Sequence, residues 1–280
     1  MNIFISGGSS GIGLYLVENF LRQGHSIFTT CRKKQSNKFL CKKFSTYKKK
    51  FRCEQIDFSN LNSVNKLTKK ISIFFKNKID VIINNAGSYG EVSKFTETNI
   101  KNWIKSINSN LISHFIISSK LSNLIIKKKT KATIINISGG GAVRPMKYLS
   151  SYCASKSGLV RVTEVMALEL KKTNVRVYAI APGLINTNIH QRFINNKKTF
   201  KTPEAKQFKK SLLIQNNNLE KVQNTINFLI KKNPINLSGK LISVQFDNVQ
   251  KISKQRLSDS FFTLRRIDEF FFSEKKINFK

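Results

Sequence analysis

The sequence predicts an α/β domain, one doubly wound parallel sheet with helices on both faces. Three observations predict it. Short apolar runs rich in Ile and Val alternate with segments of helical apolar spacing. A glycine-rich turn joins the first apolar run to the first helical segment. Neither an internal repeat nor an interior linker divides the 280 residues, a length that buries a full core as one domain. Residues 1–247 are expected to form that domain, and residues 248–280 leave the alternation as a C-terminal extension.

The elements follow in order. Ile3 to Ile5 is a short strand entering Ser6-Gly7-Gly8-Ser9-Ser10-Gly11-Ile12-Gly13, after which Leu14, Val17, Phe20 and Leu21 recur at helical spacing until Gly24 stops the helix. Ser26 to Thr30 is the second strand, Lys33 to Lys50 part helix and part loop, Cys53 to Asp57 the third strand and Leu61 to Phe75 a helix. Val81 to Asn84 reads as a strand buried on both faces, Trp103 to Ile126 as a long amphipathic helix and Thr133 to Ile137 as a strand. Ser151 to Leu170 is a helix, Val175 to Ala179 a strand, Leu219 to Ile230 a helix and Leu241 to Val244 the last strand. The extension carries Phe261-Phe262 and Phe270-Phe271-Phe272, apolar enough to pack on the domain or on a neighbouring subunit.

Fifty Lys and Arg stand against fifteen Asp and Glu, a formal charge of +35. Such a charge suits nucleic acid or an anionic membrane. Lys outnumbers Arg forty to ten, however, and Asn, Ile and Phe are abundant, a bias that an A+T-rich genome produces unaided. The basic runs Lys48 to Lys50 and Lys127 to Lys129 fall between periodic segments and do not interleave with aromatics as a single-strand-binding groove does. No nucleic-acid partner is expected. With an apolar strand at the start, no secretory signal is expected, and no apolar run approaches the ~18 residues of a membrane span, so no transmembrane helix is expected. Cys31, Cys41, Cys53 and Cys153 lack metal-site spacing and read as free thiols in a reducing cytoplasm; no metal is expected.

Two segments carry chemistry. In the glycine-rich loop, Gly7 permits the turn, while Gly11 and Gly13 let backbone approach a pyrophosphate and helix approach strand. The following helix N-terminus offers Ser9, Ser10, Gly11 and Ile12 to an anion. In Ser151-Tyr152-Cys153-Ala154-Ser155-Lys156, Tyr152 and Lys156 share one helix face a turn apart. A phenol ordinarily titrates near ~10, and a neighbouring ammonium stabilises its phenolate, moving it toward acid/base work at neutral pH.

With these stand Asn84-Asn85-Ala86-Gly87 and Pro182-Gly183-Leu184-Ile185-Asn186-Thr187. Together the four ordered segments resemble the TGxxxGIG, NNAG, YxxxK and PGxxxT motifs of the short-chain dehydrogenase/reductase family, over roughly residues 2 to 247. The resemblance implies a Rossmann-type fold and an oxidoreductase that moves a hydride between a nicotinamide cofactor and a carbonyl or alcohol substrate. It implies Tyr152 as proton donor or base, Lys156 as the group that lowers its pKa and binds the nicotinamide ribose, and Asn110 as holder of a relay water. It also implies cofactor contacts at Gly7 to Gly13, Asp57-Phe58, Asn84, Ala86, Gly87, Pro182, Gly183, Ile185 and Thr187. At the end of the second strand, Thr30-Cys31-Arg32-Lys33 has no acid to bind a ribose 2′-hydroxyl, and Arg32 suits a 2′-phosphate, so the expected cofactor is NADP(H).

The chain departs from the family at one catalytic position. The family's substrate-orienting serine lies thirteen residues before the tyrosine, where this chain has Gly139; Ser138 is one residue early. Ser138 is the expected source of that hydroxyl, and an NADP(H)-binding regulatory or scaffold protein is the alternative if turnover is lost. After Ser238-Gly239 the chain also replaces the family's Gly-Gly ending with Phe246-Asp247-Asn248. Substrate choice is expected to lie in roughly residues 188–213 and in the C-terminal tail; Arg192, Lys197, Lys198 and Lys201 in the first of these suit an anionic substrate. The strand-end glycines and Leu264-Arg265-Arg266-Ile267 resemble family members of surface-polysaccharide pathways. A homodimer or homotetramer through the two long helices is expected from the family. His25, His114 and His190 are scattered without a nucleophile or acid partner and read as surface or helix-packing residues.

Overall fold

Ile3 and Ile5 pack on one side of β1 (Asn2–Ile5) and Phe4 on the other, and this two-residue alternation organises the whole sheet. In the computed structural model, which describes residues 1–185, 187–194, 202–203, 206, 209–210, 218–257 and 261–264, six further strands follow. They are β2 (Ser26–Cys31), β3 (Phe51–Gln55), β4 (Val81–Asn84), β5 (Ala132–Ile137), β6 (Val175–Ala181) and β7 (Leu241–Ser243). All pair in parallel, in the order β3-β2-β1-β4-β5-β6-β7. The order reverses between β1 and β4, and a ligand crevice is expected at their carboxyl ends.

Each face has its own apolar cluster. Leu16, Val17 and Phe20 of α1 (Gly11–Arg22), Leu40 of α2 (Lys34–Lys43) and Val222, Ile226 and Leu229 of the helix Leu219–Lys232 cover the face that carries Ile3 and Ile5. The Phe4 face is covered by Val64, Leu67 and Ile71 of α3 (Leu61–Phe74) and by Ile117, Leu121 and Ile125 of α5 (Ser113–Lys127). Met166 of α6 (Ser150–Glu169) completes it.

Local differences from the sequence expectations have physical causes. The expected helix 103–126 begins earlier, as α4 (Ile100–Ile107), because the Asn99 side chain caps it by accepting from Asn102 N. It runs into α5 through one π turn, Asn108–Ile112, which apolar spacing does not reveal. The third strand begins two residues before its expected start because Phe51 is drawn into the core, its ring 4.9 Å from Phe44. It stops before Asp57, whose carboxylate accepts from Ser59 N and Oγ at 2.9 Å. A short helix, α7 (Asn188–Ile194), lies in the segment after β6 to which substrate choice is assigned above.

The described part of the extension packs on the domain. Val249 and Ile252 join the first core cluster, and Leu241 N donates to Phe262 O at 2.6 Å, covering the edge strand β7. Two side chains of α6 grip the next residues. Arg161 donates to Leu264 O at 2.5 Å, the Glu164 carboxylate accepts Leu264 N at 3.0 Å, and Arg161 and Glu164 pair at 2.5 Å. Arg265, Arg266, Ile267 and Phe270 to Phe272 lie outside the described residues. The four cysteines are free thiols, and among the described residues no helix is long and apolar enough to cross a membrane and no metal-binding cluster occurs.

Because the Glu164 side chain is buried, Glu164→Ala should remove the carboxylate that accepts Leu264 N and pairs with Arg161, and lower stability by about 1–3 kcal/mol. Urea unfolding checks this, and protease cleavage after residue 256 should accelerate in the same variant.

Candidate active site

The carboxyl ends of the strands open into a cleft of about 1980 Å³. Its floor is the glycine loop. Gly7 takes φ +73° and sits so close to Ala86 that an added Cβ would lie 3.0 Å from its Cα. Its amide donates to Thr30 Oγ1 at 2.9 Å, tying the loop to β2. At Gly13 a Cβ would collide with the Gly7 carbonyl oxygen, so the helix approaches the strand as closely as only glycine permits. The loops after β1 and β4 are joined by Ser6, whose hydroxyl accepts from Asn85 N and Ala86 N at 2.9 and 2.8 Å. Asn85 Nδ2 returns a bond to Ser6 O at 2.9 Å.

Above this floor the first turn of α1 faces the cleft with Ser9, Ser10, Gly11 and Ile12. Ser10 makes no side-chain cap and no acid lies in the first turn, so the helix-end N–H groups remain for an anion. Gly11, at φ +54°, admits the side chain of Thr187 to 3.0 Å of where its own Cβ would be. A cradle closed to side chains and lined by backbone donors fits a dinucleotide. Arg32 and Lys33 line the cleft at the end of β2, while Asp57 and Glu91 are its acids among the described residues. Phe58, Ala86, Gly87, Pro182, Gly183 and Ile185 also line it; Asn186 lies outside the described residues.

Three expected site residues sit behind the wall. Asn84 is fully buried and donates to Ser118 Oγ at 2.8 Å and to Asn136 Oδ1 at 2.7 Å; Asn136 in turn donates to Thr163 Oγ1 at 2.8 Å, bolting β4 and β5 to α5 and α6. Asn110 occupies the π turn. Its side chain accepts Ser88 N at 3.0 Å and donates to Ser88 O at 2.8 Å and to Ser155 Oγ at 3.3 Å. Gly13 works through packing alone.

Tyr152 lies on the glycine run after β5. A Cβ at Gly139 would collide with its hydroxyl, and one at Gly141 would lie 2.8 Å from two ring carbons. Among the described residues the Tyr152 hydroxyl has no hydrogen-bond partner. Lys156 is buried, donates to Ile137 O at 2.7 Å and stands 6.0 Å from the Tyr152 ring centroid. Ser138 is buried at the cleft wall, its Oγ unpartnered among the described residues.

The titration behaviour differs from the expected lowering of Tyr152. Burial pushes the Tyr152 phenol above its ordinary value, with Cys153 adding to the effect, because the ring is enclosed by Tyr89, Leu149 and Phe193. Burial likewise pushes Lys156 down to about 8. For both groups burial is the largest cause of the shift.

Two histidines that the sequence presents as ordinary packing residues border the site. His114 is fully buried and held neutral, its pKa lowered to about 3 by burial and then by Lys156. The Asn110 carbonyl opposes this, yet neither ring nitrogen reaches hydrogen-bond geometry. His190 lines the cleft and bonds Tyr89. No local sequence signal pairs it with Tyr89, one hundred and one residues away. Arg192's side chain and Lys197, Lys198 and Lys201 lie outside the described residues.

The model of the short chain dehydrogenase family matches residues 1–198. The chain is 28% identical to the 3-oxoacyl-(acyl-carrier-protein) reductase FabG of Buchnera aphidicola, over 86% of this chain and 94% of that protein. It is 30% identical to the short-chain dehydrogenase srdE of Neurospora crassa, over 72% and 68%. Among solved structures, 4-hydroxyisoleucine dehydrogenase complexed with NADH matches with TM-score 0.72 and 25% identity, over 86% of this chain and 95% of that one. A variant of actinorhodin polyketide ketoreductase with NADPH shares the fold, with TM-score 0.74 and 20% identity over 86% and 94%.

The Lys156 pKa of about 8 lies below its ordinary 10.5, so its burial opposes folding fully below pH 8 and less as pH rises toward 10.5. Lys156→Met should therefore gain most stability against the wild type at neutral pH, the difference shrinking by about 3 kcal/mol toward pH ~10.5. Urea unfolding of both proteins at the two pH values measures it; a pH-independent difference contradicts it.

Proposed function

The chain belongs to the short chain dehydrogenase family, and on that premise we propose that it is an NADP(H)-dependent oxidoreductase acting on a carbonyl or alcohol substrate. One observation carries the reading: Tyr152 and Lys156, a helical turn apart, line the same cleft as the glycine cradle. Gly7, Gly11, the α1 N-terminus and Thr187 hold the pyrophosphate, Asp57 and Phe58 the adenine end, and Ala86, Gly87, Pro182, Gly183 and Ile185 the remaining wall. When bound, the cofactor supplies or accepts the hydride. Tyr152 supplies the proton to the substrate oxygen in reduction and takes it back in oxidation. Its raised pKa keeps it protonated, which suits the acid role. Lys156, held by Ile137 O, binds the nicotinamide ribose and refills the phenol's proton through the water that Asn110 keeps. Ser138 is read as the second hydroxyl: a buried, unpartnered Oγ at the cleft wall needs a ligand to satisfy it.

The missing acid after β2 and the presence of Arg32 support NADP(H). Neighbouring structures carry both NADPH and NADH, so the choice rests on those residues. The substrate reading is a ketone with an apolar body, because Tyr89, Leu149, Phe193, Met146 and Ile189 surround Tyr152. Lys105, Arg144 and Lys147 at the rim suit an anionic group on its far end. Exposed Phe115 and Ile126 on α5 and Val165 and Leu168 on α6 support a homo-oligomer through these helices. The compartment is read as the cytoplasm, the +35 charge as compositional and residues 248–280 as a C-terminal extension of domain 1–247, whose described part packs on that domain. Gly139 favours a second reading, an NADP(H)-binding regulator or scaffold with little turnover.

Loss of NADPH absorbance across a ketone panel separates the two. Tyr152→Phe should cut turnover by about 100-fold or more with NADPH binding retained; binding without turnover by the wild type on any ketone favours the scaffold. Arg32→Ala should weaken NADPH about 10-fold and NADH little; equal losses would contradict the cofactor assignment.

A further inference from the structure

Tyr89 is the residue through which the segment carrying α7 meets the Tyr152 ring. Its backbone is fixed from both sides. Ser88 is held at N and O by the Asn110 side chain, and Glu91 N donates to Ser106 Oγ at 3.0 Å. Between them Gly90 takes φ +69°, where a Cβ would collide with Ser106. From this base the Tyr89 ring stands edge-on to Tyr152, centroids 4.8 Å apart at 81°. The same ring packs on Phe193 at 5.8 Å, and its hydroxyl meets His190 Nδ1 at 2.6 Å, both on α7. Burial lowers the His190 pKa to about 4, so at neutral pH its ring is uncharged and one nitrogen can accept a hydrogen bond from the phenol O–H.

We infer that Tyr89 is a positioning residue with two separable parts: its ring walls Tyr152 into place, and its hydroxyl latches α7 over the substrate chamber through His190. The inference rests on the reading of Tyr152 as the proton donor, and it adds a residue that acts through Tyr152 and α7. The hydroxyl acts on substrate capture, because α7 carries Ile189 and Phe193, two walls of the apolar chamber. The ring acts on the chemical step, because a Tyr152 that can tilt loses its aim at the substrate oxygen.

The two parts are tested by different substitutions. In Tyr89→Phe, amide hydrogen exchange over residues 188–194 should rise, and KM for a reducible ketone should rise about 5-fold with kcat little changed. His190→Leu, which also removes the imidazole's ring contact with Tyr89 (centroids 5.6 Å apart), should do the same. The double variant should fall short of the sum of the single effects, since both lose the hydroxyl–imidazole bond. Tyr89→Leu should additionally lower kcat by about 10-fold, with NADPH affinity unchanged. A merely structural Tyr89 would lower stability and leave the split between KM and kcat absent. Unchanged exchange in both Tyr89→Phe and His190→Leu, or additive effects in the double variant, would overturn the latch. If the wild type reduces no ketone, the functional reading fails, while exchange and the double-variant comparison of melting temperatures still decide the latch.

Discussion

The side chain of Tyr152 lies on bare backbone. Gly139 and Gly141 offer no Cβ, the phenol occupies the space that those side chains would take, and Tyr89, Leu149 and Phe193 close around it. This seat sets the other features of the cleft. It brings the hydroxyl to the end of β5, it buries the ring far enough to raise its pKa, and it leaves α6 free to sink Lys156 into the wall where Ile137 O accepts from it. A serine at position 139 and the phenol in this position are sterically exclusive. The glycine that reads in the sequence as a lost catalytic group is therefore also a packing requirement.

Around the seat, polar groups serve rigidity before chemistry. The chain from Ser118 through Asn84 and Asn136 to Thr163 crosses the sheet interior and fixes α5 and α6 against β4 and β5. The π turn gives Asn110 the reach to hold Ser88, and so the loop that begins Tyr89. Buried polar networks of this kind favour one geometry because each member would be left unsatisfied in any other. Among the described residues Ser138 Oγ is left buried without a partner at the wall of the cleft that Tyr152 also lines.

Much of this is legible in the sequence. The alternation of apolar runs with helical spacing yields all seven strands among the described residues, and the glycine loop falls between β1 and α1 as its spacing requires. Boundaries move where side chains outside the run decide them, as Phe51 and Phe44 do for β3. The π turn is invisible because one extra residue in a helix hardly disturbs a 3.6-residue pattern. His190 escapes a sequence reading because its partner comes from a distant strand end, and no local signal records such a meeting. The direction of the Tyr152 shift escapes it for a related reason: spacing places an ammonium near a phenol, while burial, which depends on the whole fold, decides the sign.

The seat on the glycine run is tested most directly by Gly139→Ser, with ketone reduction and near-ultraviolet circular dichroism as readouts. If Tyr152 fills this space, the added Cβ displaces the ring, the aromatic signal changes and turnover falls. A variant that reduces ketones faster than the wild type, with its aromatic signal intact, would contradict the account, because it would mean that the site had room for the family's serine all along.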